Sequence, residues 1–116
     1  MITVRLPWPH AALSPNSRIH HMVRARKAKS AKISAWSLAY EAGVRRQDAT
    51  PRTLTFSFHP PTRRRMDLDN VIASCKAYID GLACALGIDD SKIAMRFPER
   101  LGEPVKGGAI VVEVTA

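Results

Sequence analysis

Hydrophobic and polar positions alternate along Ile2-Thr3-Val4-Arg5-Leu6, the period of a half-buried strand, and Pro7 and Pro9 end it. His10 to Arg18, with Pro15 and Asn16, has no period and reads as a surface loop. From about Arg24 to Val44 the spacing becomes helical, with Ile33, Trp36, Tyr40 and Val44 on one face, and Gly43 close to its end. That face predicts burial of Trp36. Arg45 to Pro51 is a polar connector. Thr53 to Phe58 is the cleanest strand, with Leu54, Phe56 and Phe58 to one side and small hydroxyls to the other; His59-Pro60-Pro61-Thr62 stops it. A second helix is predicted from about Leu68 to Leu86, capped by Gly87. Ile93, Met95 and Phe97 alternate in a third strand, and turn-rich Pro98 to Gly108 leads to a fourth, Ala109 to Val114. The order is β-α-β-α-β-β: an α+β fold, one domain over residues 1–116, with helices on one face of a small mixed sheet.

Within the second helix, Val71, Ile72, Cys75, Ile79, Leu82 and Leu86 form an apolar sector. Asp69, Lys76 and Asp80 fall within about 40° of one another on a separate charged stripe. As a solvated salt-bridged stripe, the Lys76/Asp80 pair contributes only a few tenths of a kcal/mol.

Charge sharpens the picture. Eighteen Lys and Arg stand against ten Asp and Glu, a net charge of +8, which favours a polyanionic partner. Hydrophobic residues at 46% and charged residues at 24% are those of a globular chain. Cys75 and Cys84 project to different sides of a helix and read as small buried hydrophobes in a reducing compartment, and no Cys/His spacing spells zinc. The Met-Ile-Thr-Val-Arg start has no secretory apolar region, and no apolar run reaches membrane-spanning length, so a cytoplasmic location with no membrane partner is expected. No glycine-rich phosphate loop opens a helix, so no nucleotide cofactor is expected.

In so basic a chain, four of the ten acidic residues gather in two tight pairs: Asp67 and Asp69 after Arg63-Arg64-Arg65, and Asp89 and Asp90 after Gly87. Capping of a helix start explains one member of the first pair, not all four residues. Two or three aspartates can hold Mg²⁺ and leave sites for water and a phosphate oxygen. The arginines, with Arg24, Arg26, Lys27 and Lys29 of the first helix, can hold the rest of a nucleic-acid backbone. Lys76 is placed to stabilise negative charge on the reacting phosphate. The pairs meet either because the Gly87–Ser91 loop folds back toward the helix start, or because a twofold axis joins two copies. Metal-dependent phosphodiester hydrolysis stands against a basic, non-catalytic DNA-binding protein with structural carboxylates; a metal-dependent ribonuclease is a third reading. His20 and His21 read as surface residues, and Trp8 is a candidate for stacking on bases.

Asp67-Leu68-Asp69-Asn70, then Lys76 through Asp80-Gly81-Leu82, then Gly87-Ile88-Asp89-Asp90-Ser91-Lys92-Ile93, resembles the RusA family of Holliday-junction resolvases. Leu6-Pro7-Trp8-Pro9 and Leu13-Ser14-Pro15-Asn16 are similar to that family's opening, and the likeness covers nearly the whole chain. It implies a homodimer that binds four-way DNA junctions and nicks symmetric strands using Mg²⁺, with Mn²⁺ as an alternative. It also implies that Asp67, Asp69 and Asp90 bind the metal and Lys76 is the catalytic lysine; Asp89, Asn70 and Asp80 are candidate accessory residues beside them. In some members the lysine follows the D-N pair one helical turn sooner; here it lies seven residues after Asp69, which on a continuous helix is a similar face.

Overall fold

The computed structural model describes residues 1–46 and 52–115. Its strands are β1 (Ile2–Pro7), β2 (Arg52–His59), β3 (Ile93–Arg96) and β4 (Ala109–Thr115). Its helices are α1 (His21–Glu41), α2 (Leu68–Ser74) and α3 (Lys76–Leu86), with single 3₁₀ turns at Ala11–Leu13 and Asp90–Lys92. The connector expected at Arg45 to Pro51 lies partly outside the described residues.

The sheet runs β1-β4-β2-β3. β4 is antiparallel to both neighbours, while β2 and β3 are parallel, joined by the α2–α3 crossover that parallel pairing requires. Register follows the hydrophobic alternation: Val4 opposes Val112, Leu6 opposes Ile110, and Leu54, Phe56 and Phe58 oppose Val114, Val112 and Ile110. These side chains are buried, and the alternate positions Thr3, Arg5, Ser57 and Glu113 are exposed. One face therefore meets the helices, giving the α+β arrangement on a small mixed sheet that the pattern predicts.

α1 departs from expectation. It starts at His21, where His20 Nδ1 accepts the Met22 N–H at 3.2 Å. It ends in a Schellman turn: Gly43 takes φ 107°, its N–H reaches Tyr40 O, and the Val44 N–H reaches Ala39 O. Val44 is buried, but as the residue beyond the helix. Ile33, Trp36 and Tyr40 are 51%, 48% and 54% exposed, so the predicted core face is the outer one. The buried face carries Ala35 and Ala39, because α1 crosses α3 at Gly81, where any Cβ would overlap the Lys32 carbonyl and press on Ala35 Cβ. An approach that close admits only small side chains.

The second helix is two helices. At Cys75 (φ −93°, ψ 3°) the chain tightens, its N–H turning to Ile72 O, while Ser74 Oγ donates to Asn70 O at 2.8 Å. Serine bonding back to the preceding turn bends helices, and here the bend accompanies a break. Asp69 and Lys76 lie on either side of this break and so do not share one continuous helical stripe, as a straight helix would give. Gly87, at φ 70°, closes α3 as expected. Cys75 is buried; Cys84 is exposed, contrary to its reading as core, because its side of α3 faces away from the sheet.

Candidate metal and nucleic-acid site

β2 runs out into a loop that is tied down rather than free. The Gly102 N–H reaches Phe58 O at 2.8 Å, the Val105 N–H reaches Pro60 O at 3.0 Å, and His59 Nδ1 meets Glu103 O at 2.9 Å. Arg63, Arg64 and Arg65 leave this anchored segment exposed to solvent. Arg63 pairs with Glu103 at 3.3 Å, an exposed contact worth little that a phosphate can displace. Arg64 and Arg65 border two clefts: one of about 480 Å³ against Arg100–Pro104, another of about 300 Å³ against Trp8, His10 and the start of α2.

On α1, Arg26, Lys27 and Lys29 are exposed, while Arg24 donates to Ser17 O at 2.6 Å and so also braces the preceding loop.

The four carboxylates divide by task. Asp67 caps α2, accepting the Asp69 N–H at 2.9 Å, and Asp89 caps the second 3₁₀ turn, accepting the Ser91 N–H at 3.1 Å. That Ser91 backbone N–H holds the Asp89 carboxyl below its usual range. Asp69 and Asp90 have no capping bond. Asp69 is exposed and makes no side-chain hydrogen bond or ion pair among the described residues. Asp90 Oδ2 lies 3.9 Å from Lys76 Nζ, which also donates to Asp80 Oδ1 at 3.1 Å. The Gly87–Ser91 loop thus brings Asp90 to the lysine, but the two acidic pairs are not gathered into one cluster among the described residues.

Among the described residues, no group of three His, Cys, Asp or Glu side chains is gathered closely enough to hold a metal ion. The seven residues of α2 put about 10 Å of helix between Asp67 and Lys76. Asp67 and Asp69 nonetheless suit Mg²⁺ as a pair: hard, exposed oxygen donors, of which only one oxygen of Asp67 is used by the cap. Such ions commonly take one or two carboxylates and fill the remaining positions with water and substrate phosphate.

No family model matches the chain. An uncharacterized protein of Xylella fastidiosa strain Temecula1 is 38% identical over 118 residues, spanning 99% of this chain and 76% of its own length. The chain belongs to that protein's family. The family span takes in both acidic segments and the arginine run, and the relative's name adds no chemistry to them.

Two further groups lie at and just beyond the junction of α2 and α3. Burial pushes the Cys75 thiol up to about 12, and burial, with Cys75 beside it, pushes the Tyr78 phenol to about 12. Tyr78 stays neutral and donates to Pro7 O at 2.8 Å, tying α3 to the end of β1. The cleft residues His10 and Ser74 escaped the sequence reading: a histidine and a serine without a partnered base carry no spacing signal, and only the fold brings them together. No helix is long and apolar enough to cross a membrane among the described residues.

Proposed function

We propose that this protein is a metal-dependent endodeoxyribonuclease of the RusA type, cytoplasmic and homodimeric, that nicks four-way DNA junctions. The observation carrying this reading is the 3.9 Å approach of Asp90 to Lys76, which brings a carboxylate of the late acidic pair to the lysine that opens α3. In this reading Asp67 and Asp69 hold Mg²⁺, or Mn²⁺, while Asp90 pairs with Lys76. The ion, when bound, supplies Lewis acidity and a more acidic water. The chain's own groups do the remaining work. Arg64 and Arg65 hold the phosphates that flank the scissile one. Lys76, steered by Asp80, brings positive charge toward the reacting phosphate. Asn70, half-buried one residue beyond Asp69, offers an amide to the same region. Two copies present two such sites to symmetry-related strands.

A second reading is favoured by a specific observation. Asp67 and Asp89 both cap backbone N–H groups, so half of the acidic set has a structural task without metal. A basic DNA-binding protein with structural carboxylates would look the same at those two positions. Magnesium titration against a labelled four-way junction, beside linear duplex and single-stranded controls, separates the two. Metal-dependent paired nicking of the junction supports the nuclease; salt-sensitive binding without nicking supports the binding protein.

A further inference from the structure

We infer that the cleft between Trp8 and the start of α2 receives a single unstacked base of the bound DNA strand, with Trp8 as its stacking platform. The inference rests on the nucleic-acid part of the reading above, not on hydrolysis.

Trp8 is half-buried against the core, and its position is fixed from three sides. Tyr78 donates to the carbonyl of Pro7, immediately before it. Gly108, at φ 74°, leaves the space the indole needs: a Cβ there would stand 2.8 Å from Trp8 Cβ and 3.0 Å from its Cγ. After it, His10 Nδ1 accepts the Ala12 N–H at 3.0 Å, which leaves the proton of the neutral ring on Nε2 as a donor. An aromatic ring immobilised before the ligand arrives loses little freedom on binding.

The cleft, about 300 Å³, joins this ring to Arg64, Arg65, Asp67 and Asn70. An apolar wall with the Asn70 amide and a histidine donor suits the face and edge of a base. Two guanidinium groups at its border suit the phosphates on either side of that base. Duplex bases cannot enter, since their faces are already stacked; bases freed at a branch point can. With Asp67 in the same wall, a base seated there holds its own phosphate beside the proposed metal ligands. The cleft would thus select branched or single-stranded DNA over intact duplex.

The test needs no cleavage. In a Trp36→Phe background Trp8 is the sole tryptophan, and its fluorescence is titrated in chelator with a short oligothymidylate and with an abasic oligonucleotide of equal length and charge. Quenching by the first but not the second is expected. Affinity should favour the base-bearing strand by roughly fivefold to a hundredfold. In Trp8→Leu that preference should fall to about onefold while the salt dependence, set by phosphate contacts, is retained. Equal affinity for both strands, a preference unchanged in Trp8→Leu, or binding to neither strand overturns the inference. If Trp8→Leu fails to fold, the quenching and the abasic comparison on the folded parent decide alone. A base preference without junction cleavage sinks the nuclease and leaves the stacking cleft; cleavage without a base preference does the reverse.

Discussion

Asp67 and Asp69 stand two residues apart and should respond differently to substitution. Asp67→Ala removes the cap on Asp69 N–H and should cost about 1 kcal/mol in denaturant unfolding, whereas Asp67→Asn keeps the cap and should leave stability nearly unchanged. Asp69, with no bond to lose among the described residues, should tolerate Asn or Ala without measurable destabilisation. Deeper in the same region, Cys75 and Tyr78 give an alkaline signature. Their acid forms are favoured by the fold, so the stability they contribute is full below their ordinary values of 9.0 and 10.0 and is lost as pH rises toward about 12. Urea midpoints compared at about pH 8 and about pH 11 should fall less in Cys75→Ala than in the parent. An equal fall in both proteins would remove the thiol from that account. The aspartates and Lys76 stand out in the sequence because carboxylates are scarce in so basic a chain and Lys76 opens a largely apolar helix. The division between capping and free carboxylates was not, since it depends on backbone direction at two turns.

Helix packing turns on Gly81. A methyl group there meets the Lys32 carbonyl and Ala35, backbone and core that cannot move aside cheaply, so Gly81→Ala should destabilise by roughly 1–3 kcal/mol despite its better helix propensity. Trp36→Ala, on the outer face of α1, should shift the unfolding midpoint far less; a loss comparable to that of Gly81→Ala would mean that this face is covered in solution. Strands were readable element by element: period two, punctuated by proline and glycine, placed all four. The helices were less so. Large apolar residues draw the eye to Ile33, Trp36 and Tyr40, but the contact is made through alanines, whose burial is set by how near α3 approaches. The break at Cys75 is likewise silent in hydrophobic spacing, because it rests on a serine hydroxyl and one tightened turn.

For the whole molecule, the charge of +8 bears on partners and not on the fold. Replacing Arg63, Arg64 and Arg65 with alanine should weaken DNA binding at low salt and flatten the slope of log affinity against log salt by up to about 3. An unchanged slope would move the DNA surface elsewhere. Sedimentation should find a dimer at concentrations that support paired nicking, because one copy carries one acidic set and a junction presents two equivalent strands. The measurement that bears most directly on the central claim is cleavage of a labelled four-way junction in Mg²⁺ by the parent and by Asp69→Asn. The account predicts paired symmetric nicks by the parent, and a loss of orders of magnitude in a variant that folds normally and still binds the junction. A normally folded Asp69→Asn protein that cleaves at the parental rate would contradict it, as would a parent that binds the junction in Mg²⁺ and leaves it intact.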